Sequence, residues 1–225
     1  MPEKEKIIMS RSDPPAEVRQ GTLVYNFNEC LLFLESKGKE LFGKHFKIYP
    51  EDRQLIYKLL VYIIGDEVSA GKFGLDIRKG ILLTGPVGCG KSCLMALLRF
   101  FQPEPLRYQL KSCRDISFEF IQNGYETIFR YSRGYVNEQK INPKHYCFDD
   151  LGTENNLKYY GNECNVMGEI LLSRYDLFVS RMAQTYLTTN LTSSELEQCY
   201  GNRVRSRLRE MFNLVAFDKS SKDKR

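Results

Sequence analysis

The stretch GILLTGPVGCGKSCLMALL, residues 80–98, decides how the rest of the chain is read. An apolar run closed by glycine predicts a buried strand over 80–85, and KSCLMALLRFF predicts a helix over 91–101. Between them GPVGCGKS (85–92) satisfies G-x-x-x-x-G-K-[ST] in full. Gly85, Gly88 and Gly90 permit backbone angles and close approach that side chains would block, so amide groups can converge on phosphate oxygens. Lys91 is placed to lie against the β- and γ-phosphates and the Ser92 hydroxyl to ligate Mg²⁺, while the helix that starts at Gly90 aims its positive end at the same phosphates. With average residue usage a chain this long meets the pattern by accident on the order of once in a hundred. The whole loop, Gly85, Pro86, Val87, Gly88, Cys89, Gly90, Lys91 and Ser92, is therefore assigned to a nucleoside triphosphate. Cys89 and Cys93 are read as small side chains tolerated by a tight loop.

Strands and helices alternate on either side of this unit. Further strands are expected in LRYQLK (106–111), HYCFDD (145–150) and QTYLTTN (184–190), with helices over 114–132 and 165–182 between them. That order means α/β class, a parallel sheet with helices on both faces. Ahead of it, 27–43 and 50–67 read as two helices, a short helical extension over about 23–67, and residues 1–22 as a mobile tail. A chain of 225 residues with 42% hydrophobic content buries one substantial core, so residues 23–225, the helical extension included, are read as one domain. The net charge of +5 permits contact with nucleic acid without demanding it. Seven cysteines without a C-x-x-C suit a reducing cytosol, and the longest apolar run, LLVYII (59–64), is far too short to span a bilayer. The expectation is a soluble, cytoplasmic protein with no membrane partner.

Two strand ends carry the remaining chemistry. CFDDLGTE closes an apolar strand with a pair of carboxylates: Asp149 is placed to hold the Mg²⁺ shell and Asp150 to orient an attacking water. TYLTTN ends in Asn190, whose carboxamide can bond both the γ-phosphate and that water if its strand lies beside the acidic one. Further on, GNRVRSRLREMF (201–212) puts Val204, Leu208, Met211 and Phe212 on one helical stripe, bordered by Arg203 and Arg207 on one side and by Arg205 and Arg209 on the other. By itself that is a solvated basic helix.

Taken in order and spacing, GPVGCGKS, CFDDLGTE, YLTTNLTSSEL and YGNRVRSRL resemble the AAA+ ATPases of the DnaC/IstB type, which comprise helicase loaders and transposition helper ATPases. The resemblance covers roughly residues 38–225. It implies a P-loop AAA+ core with a five-stranded parallel sheet, ATP with Mg²⁺, and assembly into rings or spirals of identical subunits. Lys91 and Ser92 then match Walker A, Asp149 and Asp150 Walker B, Asn190 sensor I, and Arg207 an arginine finger that serves a neighbour's γ-phosphate. Asp150 stands where most AAA+ proteins carry Glu, and few residues precede the core where loaders of the DnaC type carry a helical domain. FDKSSKDKR leaves no room for a helical lid, so a sensor II role falls to Arg225 or its lysine neighbours.

The implied activity is slow, partner-stimulated ATP hydrolysis in loading a replicative helicase, with a transposase as the alternative protein partner. A nucleotide-gated switch that hydrolyses little is motivated by Asp150, and a small-molecule kinase would leave Asn190 and Arg207 without use. Single-stranded DNA is the expected nucleic-acid partner. RDISFEFIQNGYETIFRYSRGYVNEQK interleaves Arg114, Arg130, Arg133 and Lys140 with six Phe or Tyr residues, a composition in which charge tracks phosphate and rings stack bases. Against that, Phe118, Ile121, Tyr125 and Phe129 fall at helical spacing and read as core.

Overall fold

The computed structural model describes residues 13–224, apart from 134, 138, 139, 143, 155, 156, 160 and 161. Strands β1 (Glu17–Arg19) and β2 (Thr22–Val24) form a hairpin within the stretch expected to begin as a tail. Helix α1 (Phe27–Phe42) is capped by the Asn26 side chain and stops at Gly43, as its sequence indicates. The helix expected over 50–67 is two, α2 (Arg53–Ile63) and α3 (Glu67–Lys72), because Gly65 turns at φ 76° and Asp66 caps the second by accepting from Ser69 N. Then come β3 (Gly80–Thr84), α4 (Lys91–Leu98), β4 (Gln109–Ser112), α5 (Cys113–Asn123), α6 (Tyr125–Arg133), a hairpin of β5 (Tyr135–Asn137) and β6 (Lys140–Asn142), and β7 (Tyr146–Leu151). A second hairpin, β8 (Leu157–Tyr159) and β9 (Asn162–Cys164), precedes α7 (Val166–Arg181), β10 (Thr185–Thr189), α8 (Ser193–Met211) and β11 (Phe212–Ala216).

Strands β11, β3, β10, β7 and β4 form, in that spatial order, one parallel five-stranded sheet. Its strands alternate between two apolar faces, as strands covered on both sides must. Ile81, Leu83, Cys147 and Tyr186 pack under α1, α2 and α4, and Leu82, Tyr146, Phe148 and Leu187 under α5, α7 and α8. The order places the carboxyl ends of β3, β10 and β7 side by side, the crevice where open α/β sheets bind ligands.

At the opposite end of the sheet, Arg174 of α7 is fully buried and meets no carboxylate among the described residues. Its guanidinium donates to Thr185 Oγ1 at 2.5 Å and to the carbonyls of Tyr131, Lys144 and Gln184, over the Tyr146 ring. Burial still pushes its pKa down to about 10. Satisfied donors offset the desolvation that an isolated buried charge would not survive.

Three further expectations are corrected. Phe212 does not end the helical stripe of α8; it is the first residue of β11, the fifth strand, paired with Gly80. The helix expected over 114–132 breaks at Gly124, whose φ of 57° and ψ of −140° leave the helical region. That break turns α6 against α5 and exposes Phe118, Ile121, Tyr125 and Phe129, each between 48% and 57% accessible, where core positions were expected. Ile116, Phe120 and Tyr131 take the buried places instead.

Candidate functional site

The phosphate loop leaves β3 and returns as α4 with φ values of 156°, 77° and 99° at Gly85, Gly88 and Gly90, conformations that L side chains avoid. Gly90 is the N-cap of α4 and brings no side chain to cap it, so the positive end of the helix faces the loop. Lys91 is almost fully buried and its ammonium donates to the carbonyls of Gly85 at 2.8 Å and Pro86 at 2.9 Å, which holds the loop curled around it. Val87 projects outward, and Cys89 packs inward, where burial raises its thiol pKa in spite of the nearby Lys91. Burial likewise raises that of Cys93, with the Asp149 charge adding to it. Neither thiol has the depressed pKa of a reactive cysteine.

The acidic pair lies on a bulge. Leu187 pairs with Phe148 but Thr189 pairs with Leu151, so Asp149 and Asp150 together oppose the single residue Thr188. The extra residue forces Asp150 to a φ of 56°, a left-handed conformation that Asp tolerates better than most side chains. Thr188 fastens both acids: its hydroxyl donates to Asp149 Oδ1 at 2.5 Å and accepts from the Asp150 N–H at 2.9 Å. Asp149 also takes a hydrogen bond from Ser92 across the loop. Burial pushes the Asp149 pKa up, and the Asp150 charge adds to this, while the bonds from Thr188 and Ser92 and the Lys91 charge oppose it. A desolvated carboxylate bonded to the loop serine is a site that a cation would complete. Asp150 points instead into solvent.

The side chain of Glu154, three residues beyond the strand, is already engaged, its oxygens accepting from the Tyr200 hydroxyl and the Gly152 N–H. Asn190 emerges exposed where β10 ends, between the loop and the acidic strand, and lines with Gly85 and Pro86 a groove of about 640 Å³. Thr189 shapes that exit by donating to the Leu151 carbonyl at 2.7 Å and accepting from Leu191 N at 3.1 Å. The two arginine borders separate as the stripe implies. Arg205 and Arg209 line the same groove as Asn190, Arg205 tied to Glu197 at 2.6 Å. Arg207 faces away from it, stacked 4.1 Å over the Tyr175 ring, donating to the Tyr175 hydroxyl at 3.0 Å and paired with Glu210 at 3.5 Å.

On α5 and α6, Arg114 stacks at 5.5 Å on exposed Phe118, whereas Arg130 is paired with both Glu119 and Glu126. The side chains of Arg133 and Lys140, and all of Arg225, lie outside the described residues. Thr188 was missed from sequence, since a threonine inside a buried strand carries no mark of the bulge opposite it.

No family model matches the chain, and no curated protein matches it. Solved structures do. The DnaC helicase loader aligns at 19% identity and a TM-score of 0.52, over 76% of this chain and 92% of that one. DnaI aligns at 15% identity and a TM-score of 0.52, over 81% and 94%. A putative primosome component from Streptococcus pyogenes serotype M3 aligns at 17% identity and a TM-score of 0.50, over 77% and 83%. The likeness shows the fold, an α/β P-loop core with a five-stranded parallel sheet like that of these structures. No helix among the described residues is long and apolar enough to cross a membrane.

Proposed function

We propose that this chain is an Mg²⁺-dependent ATPase that assembles with copies of itself and acts on DNA as a loader of a replicative helicase. The observation that carries the reading is the Thr188 junction, which holds Asp149 toward Ser92 of the phosphate loop and leaves Asp150 free to face a reacting group. Asp149 and Ser92 would hold Mg²⁺ with phosphate oxygens and water, the sparse protein ligation that this ion favours. When bound, the ion neutralises charge on the phosphates. Lys91 binds those phosphates, Asp150 orients water, and Asn190 hydrogen-bonds both. The likeness to the DnaC helicase loader and to the primosome component supports loading over transposition.

The test is a titration with a fluorescent ATP analogue. Lys91→Ala should weaken binding about tenfold to a hundredfold, the worth of a charge-assisted hydrogen bond to phosphate. Unchanged affinity would refute the assignment of the loop.

The exposed strip of Phe118, Ile121, Tyr125 and Phe129, with Arg114 stacked at one end, supports direct contact with single-stranded DNA. Half-exposed rings on one face, one of them beside a cation, offer stacking surfaces for bases. Tyr125→Ala and Phe129→Ala should each lower single-strand affinity roughly tenfold at fixed salt, from about 1–3 kcal/mol per stacked base. Arg114→Ala should instead flatten the salt dependence by about one counterion. Equal affinity for the native chain and both aromatic variants would remove this face as a DNA site.

A further inference from the structure

Beyond β11 the chain turns back over the phosphate loop. Phe217 N–H bonds the Thr84 carbonyl at 2.9 Å, and a turn at Asp218 follows, its carboxylate accepting from Ser220 N at 2.8 Å. The returning segment then docks on the loop itself, Lys224 N–H donating to the Gly88 carbonyl at 3.0 Å. The Lys224 ammonium reaches both carboxylate oxygens of Asp52, at 2.7 and 2.6 Å. These two side chains are only 10% and 11% exposed, and the ammonium stands 5.3 Å from the Tyr49 ring centre and 5.0 Å from that of Phe217. The Asp223 carboxylate occupies the space that a side chain at Gly88 would need. Residues 172 apart in sequence are thus clasped at the edge of the phosphate loop.

Under the clasp lies a chamber of about 150 Å³, bounded by Tyr49, Asp52, Cys93, Leu97, Phe217 and Lys224 and continuous with Gly88–Gly90 of the loop. An apolar cavity of about that size admits benzene. A purine is a fused double ring and carries a ribose, larger than this space, so the shut clasp narrows the room for a nucleoside beside the loop. The charges act in the same direction. Shut, the segment holds the Asp223 carboxylate against a loop built for phosphate and ties its lysine to Asp52.

We propose that residues 218–224 form a latch, closed by the Lys224–Asp52 pair, that must open before a purine nucleotide can seat on the loop; this rests on the reading of the loop as an ATP site. A triphosphate favours the open state because it repels Asp223 and Asp52 and attracts the released Lys224. That differential interaction is what shifts such an equilibrium. Apparent affinity is then the intrinsic affinity reduced by the fraction of open chains.

Asp52→Asn and Lys224→Ala should each tighten binding of a fluorescent ATP analogue, by about tenfold if roughly one native chain in ten is open. Exchanging the charges, Asp52→Lys with Lys224→Asp, should return affinity to near the native value. In hydrogen exchange the Lys224 amide should be protected without nucleotide and lose protection when Mg-ATP is added. Native binding with unchanged or weaker affinity in both single variants overturns the latch, weaker affinity making the segment a wall of the base site instead. Continued protection of the Lys224 amide at saturating Mg-ATP overturns it as well. If the native chain and every clasp variant fail to bind, the ATP reading falls and the latch falls with it.

Discussion

Asp150→Asn is expected to bind ATP as the native chain does and to hydrolyse it about 10²- to 10⁴-fold more slowly, the range for removing a positioned general base. Asparagine keeps the shape of the side chain and, like aspartate, accepts the left-handed backbone at this position, where φ is 56°. The Asp150 N–H can still donate to Thr188, and Asp149 keeps its bonds to Thr188 and Ser92, so the bulge and the cation site are preserved. What disappears is the exposed negative charge near the carboxyl end of β7. Glu154 is poorly placed to replace it, since the Tyr200 hydroxyl and the Gly152 N–H already occupy its oxygens. Phosphate release measured at saturating ATP decides the matter. Turnover that survives the substitution would assign the base to another group, and Tyr200→Phe, by freeing Glu154, would then identify it.

Much of this site was legible because its signals are local. A strand, a glycine loop and a helix occupy nineteen consecutive residues (80–98), and each part follows from neighbours in sequence. The acidic pair and Asn190 mark strand ends for the same reason, and a parallel sheet follows from alternating strands and helices, whereas the order that sets β10 between β3 and β7 emerges only from the fold. The parts that escaped depend on partners distant in sequence. The bulge at Asp149–Asp150 exists only in the pairing of β7 with β10, so the role of Thr188 could not be read from QTYLTTN. Strand β11 was hidden because Phe212 completes a helical stripe while also starting an alternating run of its own. The exposure of Tyr125 and Phe129 followed from one glycine, Gly124, that ended α5 in mid-pattern. The Lys224–Asp52 clasp joins two ordinary surface residue types that nothing but the fold brings together.

The stripe of arginines on α8 leads to the other large effect. Arg207→Ala is expected to bind ATP normally and to hydrolyse it about 10³-fold or more slowly, as for other arginines that stabilise the transition-state charge. Among the described residues, Arg205 and Arg209 line the groove beside their own loop, while Arg207 is carried on the far border, against α7. If Arg207 acts on phosphate, a guanidinium facing away from its own loop acts on another copy's. Tyr175 supports the flat face of the guanidinium and Glu210 its edge, and both contacts are partly exposed, so exchanging the Glu210 pair for a neighbour's phosphate costs little. Action across an interface has a signature that no effect within one subunit can imitate. Lys91→Ala chains retain an intact Arg207, and Arg207→Ala chains retain an intact loop, so an equal mixture of the two inactive proteins should recover part of the native rate. Recovery should rise with total protein, because assembly follows mass action. Arg209→Ala, on the groove side of its own chain, should give no recovery with Lys91→Ala, since any defect it causes lies in the same subunit's site. A mixture of Lys91→Ala and Arg207→Ala that stays inactive at concentrations where native chains assemble would place Arg207 outside the active site, leaving it the outer edge of a helix held by Tyr175.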